Sequence, residues 1–172
     1  MKIELLNPFI VSAADVLQME VGTQVTRGQV SLKKGLFVSN DVTVLISLVG
    51  QVQGTVLYHM SYDTAKGLVS AILGQTFEQF DELAQSGIAE LANVITGLSS
   101  TKLSSTGYAS IISVPMLIIG KGSRISTLNI ERICVPLLTD VGEIGLDLAL
   151  RENPDAPAQF SSYTSRAPAL TV

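Results

Sequence analysis

Four residues in one stretch of the chain have the types and spacing to do chemistry together: Ser86, Glu90, Asn93 and Gly97. On a helix, at about 100° per residue, they fall on one stripe. Ala84, Ile88, Leu91, Ile95 and Leu98 fall on the opposite face, so that face is the expected core side and the stripe is expected in solvent. Asn is a poor interior helix residue, and Gly costs about 1 kcal/mol against Ala there. Neither is present for the stability of the helix itself. Glu90 and Asn93 are three apart and direct their side chains the same way. A carboxylate beside a carboxamide can pair with a cation and orient a water molecule. Gly97 takes a side chain off the stripe, which lets another molecule approach closely. The competing reading is simple solvation, which accounts for most polar helix faces.

The other chemistry-bearing residues make weaker cases. Gly120-Lys121-Gly122-Ser123 invites a phosphate-loop reading, but it lacks the preceding glycine and sits between strands rather than before a helix. A hairpin turn accounts for it better. His59 ends a strand with no Ser or Asp constellation near it in the sequence, so its expected role is structural. Cys134 lies in the apolar run Ile133-Cys134-Val135 and reads as a buried thiol. Asp140, Glu143 and Asp147 lack calcium-loop spacing, and one Cys with one His cannot make a zinc cage. No metal site is expected in this chain.

The elements that must position the stripe follow from periodicity. Asn7 and Pro8 are expected to open a helix over 8–19 that carries Phe9, Ala13 and Val16. Residues 23–35 read as loop with one short strand. From 42 to 60 the period falls to two, giving a hairpin about Gly50–Gly54 with one buried face. Ser61 caps a helix with Ala65, Leu68, Val69 and Ile72 on its inner face, and Gly74 stops it. The long helix with the stripe follows, over about 80–103. Tyr108–Ile119 is strand-like, Gly120-Lys121-Gly122 turns the chain, 124–137 returns it, and Glu143–Leu150 is a last short strand. Segregated strands and helices predict an α+β fold, an antiparallel sheet with helices packed on it. Residues 1–152 form the expected domain. From 153 to 172, Pro154, Pro157 and Pro168 among Ser, Thr and Ala predict a weakly structured tail.

Composition narrows the function. The 172 residues are 47% apolar and 15% charged, which suits one folded domain rather than disorder. A net charge of −4 offers no bulk attraction for a phosphate backbone, and with no Trp and 5% aromatics there is little to stack bases on. Nucleic acid is not an expected partner. The apolar run Ala109–Ile119 is half a membrane span and is broken by Ser110, Ser113 and Pro115. The start, Met1-Lys2-Ile3-Glu4, lacks the layout of a signal peptide, so the expected location is the cytoplasm.

Ser86-x3-Glu90-x2-Asn93, with Pro115 some twenty residues on, resembles the signature of the CheC/CheX/FliY group of chemotaxis phosphatases. Asn7-Pro8-Phe9-Ile10 is similar to the opening of the first helix in CheX-like members, and the element order agrees over about residues 3–150. One Glu-x2-Asn helix, rather than two, favours the CheX type. The resemblance implies hydrolysis of the aspartyl phosphate on a response-regulator receiver domain such as CheY. The partner would supply the phosphorylated Asp, the Mg²⁺ and a Lys. Asn93 would position the attacking water, Glu90 would pair with the partner's Lys, and Ser86 and Gly97 would contact the partner. The resemblance also implies a homodimer paired through its sheets. A non-catalytic module of the same fold, binding a receiver or a flagellar-switch-like protein, is the alternative.

Overall fold

The computed structural model describes residues 3–157. Three helices cover one face of an antiparallel sheet. They are α1 (Ile3–Glu20), α2 (Tyr62–Leu73) and α3 (Glu82–Ser105). The strands are β1 (Thr26–Arg27), β2 (Ser31–Lys33), β3 (Phe37–Val38), β4 (Val42–Gly50), β5 (Val52–Met60), β6 (Ser110–Ile112), β7 (Met116–Ile119), β8 (Arg124–Ile125), β9 (Arg132–Thr139) and β10 (Gly142–Glu152). The main sheet runs β1-β9-β10-β5-β4-β6, with β2 also on β9 and β7 also on β4; β3 and β8 form a separate pair. This is the expected α+β architecture.

The 42–60 hairpin forms as its period-two pattern predicts. Val42 pairs with Met60 and Leu48 with Gly54, and Val44, Ile46, Val56 and Tyr58 point into the helix-side core. Gly54 is required there. It has φ +141°, and a Cβ would lie 1.9 Å from the Ala149 carbonyl oxygen on β10. Leu146 and Leu148 on β10 and Val135 on β9 extend the same core, as do Phe9 and Leu17 from α1 and Ile88 and Ile95 from α3. Each large side chain buried in this way contributes roughly 1.5–3 kcal/mol.

Local signals set the ends of α2. Ser61 accepts a hydrogen bond from the Thr64 amide, and Gly74 closes the helix in the left-handed region at φ 65°. For α3, Asp81 is the cap and accepts from the Ala84 amide at 2.9 Å.

Four expectations need correction. Helix α1 begins at Ile3, so Pro8 lies inside it rather than at its first position. The lost backbone hydrogen bond is tolerated because Leu5, Leu6 and Phe9 are all buried and hold both sides of the proline. Gly120–Gly122 does turn the chain, but it does not join two partner strands. β7 runs along β4, β8 pairs with β3, and β9 lies on the far side of β10. The last strand is not short: β10 has eleven residues and sits between β9 and β5 in the sheet. Residues 23–35 hold two short strands, β1 and β2, instead of one. Of the expected tail, the Asn153 amide donates to Gln51 at 2.8 Å, and residues 158–172 lie outside the described residues. Among the described residues no helix is long and apolar enough to cross a membrane.

Candidate functional site

Helix α3 carries the stripe and is anchored along its inner face. Ala84, Ile88, Leu91 and Ile95 are buried as expected, and so are Ala92, Thr96, Ser99 and Leu103. Leu98 is only half-buried, so the core face is turned by about one position from the expected one. Two polar ties fix this rotation. The Tyr58 hydroxyl on β5 meets Thr96 Oγ1 at 2.9 Å inside the core. Lys102 near the helix end meets Asp15 of α1 at 2.7 Å. Burial drives the Tyr58 phenol well above its ordinary pKa, with the Thr96 bond opposing, so it stays a protonated hydrogen-bonding group.

On the outer side, Ser86 and Glu90 are exposed and Asn93 is half-buried. Asn93 Nδ2 lies 3.5 Å from Glu90 Oε2. At that length the bond is weak, so either group can be taken over by a stronger partner. Gly97 is half-buried, and a Cβ there would come within 3.9 Å of Ile112 on β6. The stripe is therefore open from Ser86 to Asn93 and is flanked by β6 at Gly97. The arrangement offers one acceptor for a cation and, one turn along, an amide that can donate and accept. Among the described residues no three His, Cys, Asp or Glu side chains gather into a metal-binding set.

Sequence reasoning missed the apolar side of this site. Leu83 is 52% exposed and Val94 42%, and both lie beside Glu90 on the outer surface of α3. Gly87 was also missed. A Cβ there would fall 2.9 Å from Val69 Cγ1, so the glycine is what lets α2 approach α3 closely. The spacing 83, 90, 94 was the available signal, since it marks a second outward row of the same helix.

The remaining candidates resolve as structural. The amides of Gly120 and Gly122 donate to the Asp41 and Ser39 carbonyls, so that turn is closed onto its own neighbour segment. His59 is not isolated, contrary to the sequence reading. Its Nε2 lies 3.5 Å from Asp147 Oδ1, because Gly145 pairs with His59 and brings β10 alongside. Asp147 also meets Arg132 Nε at 3.3 Å, and both are almost completely buried. Arg132 in turn donates to the carbonyls of Gly35 and Leu36, and Phe37 rests against both His59 and Arg132. Burial alone would raise the Asp147 carboxyl. Hydrogen bonds from His59 and Cys134, with the charges of His59 and Lys33, more than offset it and hold the group below its ordinary value. The Cys134 thiol is pushed up to about 12, first by burial and then by Asp147, and is chemically quiet. This cluster lies on the sheet face away from α3. It does not join the Glu90–Asn93 site.

Comparison with known proteins identifies the fold and the family. The family model "Chemotaxis phosphatase CheX" matches residues 42–138, a span that includes Glu90 and Asn93. The CheY-P phosphatase CheX of Thermotoga maritima is 28% identical over 131 residues, 76% of this chain and 84% of that protein. The crystal structure of a CheC-like superfamily protein from Shewanella sp. PV-4 superposes with a TM-score of 0.79 at 26% identity, covering 88% of this chain and 99% of that one. CheX in the CheX–CheY–BeF3–Mg²⁺ complex of Borrelia burgdorferi superposes with a TM-score of 0.75 at 27% identity, covering 88% of this chain and all of that one. With the family model spanning more than half of its length, the chain belongs to the CheX family of chemotaxis phosphatases.

Proposed function

We propose that this protein hydrolyses the aspartyl phosphate of a CheY-like receiver domain, with Glu90 docking the partner and Asn93 positioning the attacking water. The observation that carries the reading is the Glu90–Asn93 pair. The two side chains lie 3.5 Å apart on the outer face of a helix whose other face is locked into the core. Phosphoryl transfer needs positioning and charge stabilisation more than covalent chemistry. A neutral amide can hold a water near an anionic phosphoryl group, where a carboxylate would be repelled. Glu90, one turn back and exposed, accepts a lysine ammonium from the receiver and gives up its weak bond to Asn93. That frees the amide for water. The receiver brings the phosphorylated Asp and the Mg²⁺, which neutralises phosphoryl oxygen charge. Ser86 and Gly97 contact the receiver at the two ends of the stripe.

The protein is further proposed to act as a homodimer. Ile111, Val114, Met116 and Ile119 are exposed along the outer edge made by β6 and β7, where unpaired backbone groups invite a second sheet. A sedimentation mass of about 18 kDa at micromolar concentration counts against it.

The test is loss of label from a phosphorylated receiver of the same genome. Asn93→Ala is expected to lower turnover about a hundredfold or more while leaving docking nearly intact. Glu90→Ala is expected to act mainly on apparent affinity. Wild-type rates from Asn93→Ala overturn the assignment. A wild-type protein that binds a receiver without speeding loss of its phosphate favours the non-catalytic module.

A further inference from the structure

A groove of about 370 Å³ runs beside the Glu90–Asn93 stripe, between α3 and the facing surfaces of α1 and α2. Val16, Ile72 and Leu91 form its apolar walls, Leu83 and Val94 stand at its mouth, and Glu90 belongs to its rim. An enclosed cavity of about 150 Å³ is enough to hold a benzene ring. This groove therefore has room for a large side chain entering from outside.

We propose that the groove is the specificity pocket for the receiver domain, taking one large apolar side chain that the receiver presents next to its docking lysine. The inference rests on the reading of Glu90 and Asn93 given above. Ser86 and Glu90 line both the groove and the stripe. A surface that places its phosphoaspartate over Asn93 must therefore also cover the mouth of the groove. Glu90 and Val94 are four residues apart, so their Cβ atoms are about 5–6 Å apart. A cation on Glu90 and an apolar group on Val94 thus come from adjacent positions of one partner. Charge points to the same occupant. The ionisable side chains lining the groove are Glu20 and Glu90, both acidic, which suits an apolar side chain flanked by a cation. The mouth is built for contact rather than for helix stability. Val94 is a β-branched residue at an exposed helix position, where 42% of it stays in solvent in the free protein. Gly87 keeps α2 close enough to form the opposite wall, since any side chain there meets Val69.

The test uses the full chain and a receiver charged with beryllofluoride and Mg²⁺, titrated by calorimetry. Phosphate loss from the phosphorylated receiver is measured in parallel. Wild-type binding to at least one receiver of the same genome is expected, and its absence overturns the receiver reading together with the pocket. Given wild-type binding, Leu83→Ser/Val94→Ser is expected to weaken Kd and raise KM about tenfold or more, with kcat within about twofold. Asn93→Ala should do the reverse, lowering kcat with Kd nearly unchanged. Leu128→Ser removes an even more exposed leucine, from the turn after β8 and away from the groove, and should change neither. Urea midpoints close to that of wild type establish that all three variants fold. A Leu83→Ser/Val94→Ser protein with wild-type Kd and KM, or one changed only in sedimentation mass, overturns the pocket and leaves the receiver assignment standing.

Discussion

The contact between Tyr58 and Thr96 allows a quantitative test of how α3 is held against the sheet. Thr96 has one hydroxyl proton, and the Ala92 carbonyl takes it at 2.8 Å. The Tyr58 hydroxyl must then be the donor in the 2.9 Å contact with Thr96 Oγ1. The two single substitutions are therefore unequal. Thr96→Val keeps the shape but strands a phenolic O–H in a site where Tyr58 is 2% exposed. That desolvation cost is about 1–3 kcal/mol. Tyr58→Phe removes the donor and leaves Thr96 its bond to Ala92, for a cost of about 1 kcal/mol. The double variant has no unpaired polar group and should lose little more than Tyr58→Phe alone. A coupling of about 1–3 kcal/mol between the sites, the size of the Thr96→Val cost, follows. For a chain of this length, each kcal/mol is about 2–4 °C in Tm. Urea titrations with a shared m value measure all three variants against wild type. Additive losses, within about 0.5 kcal/mol, would refute the donor assignment and the role of this bond in setting the rotation of α3.

The buried cluster on the other face of the sheet supports two further expectations. Arg132→Met takes one partner from the buried Asp147, which keeps His59 and Cys134, and should cost less than the roughly 3–5 kcal/mol of a fully orphaned charge; Arg132→Met/Asp147→Leu should recover part of that in thermal unfolding. Asp147 also gives the stability curve an acid limb. Its folded pKa lies below the ordinary value of 3.8, so the unfolded chain binds more protons between the two values. The contribution of Asp147 is complete above the ordinary value and is lost as pH falls through the folded value; that acid limb should flatten in Asp147→Asn when urea midpoints are followed downward from the ordinary value of 3.8.

Local chemistry made much of the fold legible. The alternation from Val42 to Leu48 needed only the hairpin to be realised, and Ser61 and Gly74 mark the ends of α2 with groups that act within four residues. Pairing between distant strands was not legible. Gly120-Lys121-Gly122 is a turn wherever it occurs, and nothing within it says that β7 will join β4 while β8 joins β3. For the same reason His59 looked solitary. Asp147 reaches it only through the register of β10 on β5, across nearly ninety residues of chain. The apolar partner of the site stayed hidden for a different reason. Leu83 and Val94 look like ordinary core residues in a list of apolar positions, and only the rotation set by Tyr58 and Lys102 turns them outward. Glu90 and Asn93 were legible because polar residues at helical spacing against a core stripe are defined by the helix alone.

The way Arg132 holds the segment before β4 constrains how that segment can change over time. The guanidinium grips main-chain carbonyls at Gly35 and Leu36, atoms that every amino acid carries. Position 36 can therefore vary widely in side chain without loosening the grip. Position 35 is limited by its backbone, at φ +80°, and position 37 by its ring on His59. On the sheet side the opposite holds, since Arg132 and Asp147 can be exchanged only together. Sequence drift in this family should then concentrate in the strap while its attachment point stays fixed.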